Sequence, residues 1–130
     1  MVVRGIRGAT TAGANTRDAI LSATSELLSA LIQANKLSAD EVSSVYLTAT
    51  HDLDAAFPGE AVRALGWGTV AVLDAQAPAI VSDVPHCIRV LIHWNTNQAQ
   101  NEIKHVYLRG ARRLRPDRAS LDFHQQERMA

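Results

Sequence analysis

The most regular alternation of apolar and polar side chains runs from Cys87 to Trp94 and predicts a strand. Because successive side chains of a strand point to opposite faces, its even-numbered positions form one apolar face. The other face carries Arg89 in mid-strand, and burying an unpaired guanidinium is expensive. Arg89 therefore either leads out to solvent at a sheet edge or meets an anion.

Other patterns predict the remaining elements. Apolar residues repeating every three to four positions predict a first helix, which Asn15 or Thr16 can cap and which ends near Asn35. A second helix is predicted from Pro58 to about Leu65. Further strands are predicted at 2–10, 42–50, 69–73 and 104–108, a helical turn at 110–114, and a long irregular excursion at 74–86.

This order, β-α-β-α-β-β-β, predicts an α/β (α+β) chain with a mixed sheet. Two helices suffice to cover one face of about five strands. Apolar Cys87 and Leu91 occupy the second face of the predicted strand, and another copy of the chain is the simplest cover for it. The pattern therefore predicts an oligomer.

Composition narrows the class of protein. The 130 residues, 47% of them hydrophobic and 20% charged, fit one globular domain. Lys+Arg and Asp+Glu number 13 each, so no overall field attracts nucleic acid or a membrane surface. With no signal peptide or membrane span recognised, a cytoplasmic location is the expectation. We expect a single domain at 1–118 and a flexible tail at 119–130.

The candidate ligand-binding residues are mostly arginines. The histidines lack metal-ligand spacing, and no glycine-rich loop opens a helix, so neither a metal nor a nucleotide cofactor is predicted. Four arginines lie at strand positions, strand ends or the second helix: Arg7, Arg63, Arg89 and Arg115. Arginine forks suit carboxylates, so this set, with the Tyr107 hydroxyl, predicts a small polyanionic ligand. Nucleic acid is the alternative partner, but no aromatic residues are interleaved with the C-terminal arginines.

Five short motifs in order resemble the small, trimeric, monofunctional chorismate mutases. The motifs are 4–11 (RGIRGATT), 56–58 (AFP) with 61–63 (AVR), 87–90 (CIRV), 105–108 (HVYL) and 114–117 (LRPD). The resemblance covers residues 2 to about 118. It implies a chain whose trimer forms a pseudo-α/β barrel, with active sites in clefts between neighbouring subunits.

The resemblance also implies an activity. Such enzymes convert chorismate to prephenate in aromatic amino acid biosynthesis, a Claisen rearrangement within one molecule that needs no cofactor. Arg89 matches the arginine beside the breaking ether oxygen, and Arg7 and Tyr107 match groups that bind the substrate's carboxylates. Phe57 matches an aromatic side chain that the neighbouring subunit supplies.

The rest of the implied site includes a departure. Arg63 and Arg115 match basic groups near the mouth of the site and the mobile tail, and Leu73 belongs to the substrate-binding stretch. The family places a small polar residue and, three positions later, a glutamate against the substrate's ring hydroxyl, where this chain has Asp74 and Ala77. We therefore predict that Asp74 supplies the catalytic carboxylate. The alternative is a trimeric module, non-catalytic or of altered specificity, that binds a small dianionic carboxylate.

Overall fold

Five strands form one mixed sheet in the computed structural model, which describes residues 1–114. The strands are β1 (Val2–Thr11), β2 (Val42–Ala49), β3 (Ala71–Gln76), β4 (Cys87–Thr96) and β5 (Val106–Tyr107). Their order across the sheet is β3-β2-β4-β1-β5, with β4 antiparallel to both of its neighbours and the two outer pairs parallel. The predicted fold class and the order of its elements are confirmed. The domain limits stay a prediction, and the tail at 119–130 lies outside the described residues.

Two α-helices accompany the sheet in the described part of the chain: α1 (Arg17–Asn35) and α2 (Glu60–Ala64). Thr16 caps α1, since its hydroxyl accepts a hydrogen bond from the Ala19 N–H at 3.1 Å, and left-handed Lys36 ends it. Short 3₁₀ segments lie at Ala39–Glu41, Gln100–Glu102 and Arg109–Leu114, the last confirming the predicted helical turn. No helix within residues 1–114 combines the length and apolar character that crossing a membrane requires.

The helices pack on the face that the even-numbered residues of β4 form. Those residues, Ile88, Val90, Ile92 and Trp94, are at most 5% exposed. The apolar stripe of α1, including Leu27 and Leu31, lies in the same buried cluster as the centre of β4. Gly8 permits this approach, because a Cβ there would lie 2.8 Å from Leu31 Cδ1 and 3.2 Å from the Val106 carbonyl oxygen.

The other face of the sheet, here called the open face, is covered by neither α1 nor α2. Val3, Tyr46 and Leu73 project from it and are exposed. An exposed apolar surface of this kind is typical of a face that another protein chain buries.

The bounds of β3 and β5 differ most from the predictions, and β4 ends two residues later than predicted, at Thr96. β3 was expected at 69–73 but spans Ala71–Gln76, because its pairing with β2 runs as far as Ala49. β5 was expected at 104–108 but spans only Val106 and Tyr107. The ladder stops short because the Arg7 N–H donates to the side chain of His105, at 2.9 Å from its Nδ1, rather than to a backbone carbonyl.

Candidate active site

Arg89 lies at the centre of the open face. Its strand, β4, is flanked by β1 and β2, on which Ala9 and Thr48 are its partners. The hypothesis that Arg89 leads out to solvent at a sheet edge is therefore wrong. The side chain is 30% exposed, and the anion that it meets within the described residues is Asp83.

A cavity of about 300 Å³ brings Arg89 together with two other predicted site residues, Arg7 and Tyr107. We call it the arginine pocket; it is lined by Arg7, Tyr46, Arg89, Leu91, Tyr107 and Leu114, among others. Sheet register produces the grouping, because Ala9 of β1 pairs with Arg89 on one side and with Tyr107 on the other. Tyr107 is buried, whereas Arg7 is exposed at the rim. The pocket thus combines two permanent cations and a hydroxyl, which suits an anionic ligand.

The Arg89–Asp83 ion pair is bidentate. Nη2 of Arg89 donates to Oδ1 of Asp83 at 2.8 Å, and Nη1 donates to Oδ2 at 3.3 Å. The hydrogen bond from Arg89 holds the pKa of the Asp83 carboxyl below its ordinary value, and the same bond raises the pKa of Arg89. Both groups are therefore charged at neutral pH. The sequence reasoning missed Asp83, whose signal was an acidic residue in the irregular segment six positions before Arg89.

Hydrogen bonds anchor the segment that leads from Asp83 into β4. His86 has a positive φ of 52°; its N–H donates to Asp52 Oδ2 at 3.0 Å, and its carbonyl accepts from the Ala12 N–H at 2.9 Å. The Cys87 N–H donates to the Thr50 hydroxyl at 2.9 Å. The end of the excursion is thus fixed to two neighbouring loops.

A second cavity, of about 430 Å³, lies where β2 and β3 end and α2 begins. We call it the Phe57 pocket; its lining includes Arg17, Thr50, Phe57, Glu60, Asp74 and Gln76. Phe57 is 68% exposed, which is unusual for a large aromatic side chain of a folded domain. Glu60 is held by Arg17 at 2.7 Å.

Asp74 belongs to the Phe57 pocket and not to the arginine pocket. Its Oδ1 accepts a hydrogen bond from the Gly59 N–H at 2.9 Å. Burial raises the pKa of this carboxyl above its ordinary value, while the Gly59 N–H and the nearby Arg63 act in the opposite direction. Asp74 pairs with Leu47, whose side chain is buried beneath the helices, so Asp74 and Arg89 project from opposite faces of the sheet.

Three other predicted site residues, Arg63, Leu73 and Ala77, line neither pocket. Leu73 is exposed on the open face of β3, two strands from Arg89. Ala77 is buried, and its N–H donates to the Ala49 carbonyl at 2.9 Å, extending the contact between β2 and β3. Arg115 lies outside the described residues. Within residues 1–114, no group of three or more His, Cys, Asp or Glu side chains is arranged to hold a metal ion.

The fold is that of an α+β domain whose arginine pocket suits an anionic ligand, and comparison with known proteins identifies its family. Residues 3–118 match the family model of chorismate mutase type I. The chain is 47% identical over 117 residues to the chorismate mutase AroH of Thermus thermophilus, covering 89% of this chain and 96% of the relative. It is 42% identical over 118 residues to the chorismate mutase AroH of Bacillus subtilis, covering 90% and 93%.

A solved structure agrees with these sequence matches. A chorismate mutase from Clostridium thermocellum superposes with a TM-score of 0.82 at 42% identity, covering 83% of this chain and 96% of that one. The chain belongs to the chorismate mutase type I family. The predicted family and function, those of a chorismate mutase and hence an isomerase, are confirmed.

Proposed function

We propose that this enzyme is a homotrimer in which each active site joins the arginine pocket of one subunit to the Phe57 pocket of its neighbour. The observation that carries the proposal is the separation of the two pockets. Arg89 projects from the open face, whereas Asp74 projects from the face that the helices cover. A site that uses both side chains has to take one of them from another copy of the chain.

Exposed apolar side chains support the same assembly. Tyr46 and Leu73 on the open face, and Phe57 beside α2, are large and uncovered in the single subunit. Each loses unfavourable contact with water when a neighbouring subunit buries it. Closed cyclic symmetry then repeats the same pair of surfaces around the ring, so that every subunit contributes both pockets.

We propose a cytoplasmic location for this biosynthetic enzyme.

The proposed substrate is chorismate, a dianion that matches the charge of the arginine pocket. Arg7 and Tyr107 bind its carboxylates and hold the flexible molecule in the compact shape from which it reacts. Arg89 donates to the ether oxygen. As the ether bond lengthens, that oxygen gains negative charge, so a fixed cation stabilises the transition state more than the ground state.

Asp74 has a separate proposed role. This chain has Ala77 where relatives are expected to carry a glutamate, and Asp74 is the carboxylate of the Phe57 pocket that would face the substrate's ring hydroxyl from the neighbouring subunit. Its hydrogen bond to Gly59 fixes one oxygen and leaves the other free to accept. Arg63, beside Asp74, adds positive charge at the mouth of the cleft.

The experiment that tests the catalytic assignment follows the loss of chorismate absorbance with wild-type protein and with Arg89→Ala. We expect the variant to lose roughly 10²–10³ in kcat or more, because it removes a preorganised charged donor. Arg4→Ala is the matched control: Arg4 also lies on the sheet, but it donates to Gln98 and Gln100 away from both pockets. Arg4→Ala should retain wild-type kcat, and an Arg89→Ala protein that did so as well would contradict the assignment. Binding of a dianionic transition-state analogue without turnover by the wild type would instead favour the non-catalytic module.

A further inference from the structure

The carboxylate of Asp83 is held in place by the chain around it. Its Oδ1 accepts a hydrogen bond from the Val84 N–H at 2.8 Å, and its side chain is only 18% exposed. The next residue, Val84, is buried in a cluster with Ala9, Cys87 and Tyr107. Asp83 therefore sits at the fixed end of the irregular segment, next to the wall of the arginine pocket, rather than on a freely moving loop.

The ion pair with Asp83 occupies the edge of the Arg89 guanidinium that Nη1 and Nη2 form, and it leaves the Nε edge available for another acceptor. Asp83 takes one hydrogen from each of the two η nitrogens, while Nε makes no hydrogen bond to any residue in the described range. The pair between Arg109 and Glu26 is different, because there Nε and Nη2 donate to the carboxylate at 2.9 and 2.7 Å. The edge that Arg109 uses for its carboxylate is the edge that Arg89 keeps available.

We propose that Asp83 is a positioning residue for the rearrangement: it clamps the η edge of Arg89 and so aims the Nε edge at the substrate's ether oxygen. This inference rests on the proposed role of Arg89. An unclamped arginine side chain has many rotamers, and fixing it before the substrate arrives lowers the entropy lost in the transition state. Neither the Asp74 carboxylate nor the departure at Ala77 is involved, since Asp83 acts on its own subunit's guanidinium.

The Asp83 carboxylate favours the reaction but should weaken the binding of the dianionic substrate. Asp83 places a negative charge about 3 Å from the cation that attracts the dianion, and like charges in a partly dry site repel. Removing the charge should therefore strengthen ground-state binding while the loss of orientation slows the reaction. A fall in kcat together with an unchanged or lower KM distinguishes this role from a merely structural one, which would raise KM as the pocket loosens.

The test measures kcat and KM for Asp83→Ala and Asp83→Asn beside the wild type. We expect Asp83→Ala to lower kcat about 10-fold or more, without raising KM, because a small misplacement of a catalytic group has effects of this size. Asp83→Asn retains one oxygen that can accept from Arg89, so its kcat should fall between those of the other two proteins, again without a rise in KM. Glu26→Ala removes a bidentate partner of Arg109 on the exposed surface and should leave both constants unchanged.

Other outcomes overturn the inference. An unchanged or faster kcat in Asp83→Ala would mean that the carboxylate only screens Arg89, and equal losses in both Asp83 variants with raised KM would indicate a structural role. Because Asp83→Asn is nearly isosteric, it carries the test even if the alanine variant folds poorly. Arg89→Ala separates the two levels: if it is fully active the proposed site fails, whereas if it is inactive and Asp83→Ala is normal only this inference fails.

Discussion

Burial affects the pKa of the Cys87 thiol more strongly than the nearby charge of Arg89 does. Although it lies two residues before Arg89 on the same face of β4, it is fully buried in the described structure. Burial raises the pKa of its thiol to about 11, with Arg89 acting in the opposite direction. The thiol is thus protonated at neutral pH, as expected of a core residue and not of a nucleophile.

This protonation state has a measurable consequence. Because the thiolate is the reactive form and its fraction grows only as the pH approaches 11, the native protein should react slowly with iodoacetamide at pH 8. In concentrated urea the thiol is exposed and its pKa returns to the ordinary range, so labelling should become fast. Mass spectrometry of the alkylated Cys87 peptide gives both rates. Rapid modification of Cys87 in the folded protein would show that the structure around this residue opens readily.

At the scale of elements, the junction between β3 and α2 depends on a glycine. Gly59 has an ordinary helical φ of −61°, so its backbone would suit any residue. Space is what limits the position: a Cβ would overlap the Asp74 carboxylate and lie 2.9 Å from Val72 Cγ1. The carboxylate and the glycine are therefore matched to each other.

We expect Gly59→Ala to lower the free energy of unfolding by about 1–3 kcal/mol, the usual range for overpacking. In an Asp74→Ala background the same substitution should cost less, because the nearer of the two overlaps is gone, so the two changes should not be additive. Urea denaturation of the single and double variants measures the coupling. Gly13→Ala is the control, since a Cβ at Gly13 meets nothing within 4 Å; a fully additive cycle at Gly59 and Asp74 would contradict the contact.

The elements also show what local sequence patterns can and cannot predict. The alternation in β4 and the apolar stripe of α1 encode which face is buried, and both were predicted correctly. The limits of β3 and β5 were not, since they depend on how far β2 and β1 offer partners. That error carries into the site: a strand ending at residue 73 leaves Asp74 in a loop, whereas the longer β3 fixes its direction away from Arg89.

Within the site, the sequence singled out Arg89 because an arginine in mid-strand is improbable unless it reaches solvent or an anion. The motifs around Arg7 and Tyr107 connected these residues to it, and the structure places all three in one pocket. Asp83 gave no such signal, because an acidic residue in an irregular segment is ordinary. The pairing of Asp83 with Arg89 became visible only in the structure, where the chain turns at His86 and the Asp83 carboxylate lies against Arg89 of β4.

At the scale of the whole molecule, one subunit carries two incomplete pockets instead of one complete site. Each holds part of the predicted set: cations and a hydroxyl around Arg89, an aromatic ring and a carboxylate around Phe57. If neighbouring subunits join the two pockets, a cleft is inactive when either of its pockets is damaged, and those two pockets belong to different chains. Two inactive variants with damage in different pockets should then restore activity when they assemble together.

We expect this complementation between Arg89→Ala and the double variant Phe57→Ala/Asp74→Ala, whose two positions line the Phe57 pocket. When equal amounts are unfolded, mixed and refolded, random assembly into a closed ring pairs two intact pockets in about one quarter of the clefts, so about one quarter of wild-type activity should return. Mixing Arg89→Ala with Arg7→Ala is the matched control, because both substitutions lie in the arginine pocket and no subunit retains it intact. Recovery in the first mixture but not in the control follows only if a cleft draws on two chains. No recovery in either, with mixed oligomers demonstrated by native mass spectrometry, would mean that each subunit works with its own residues alone.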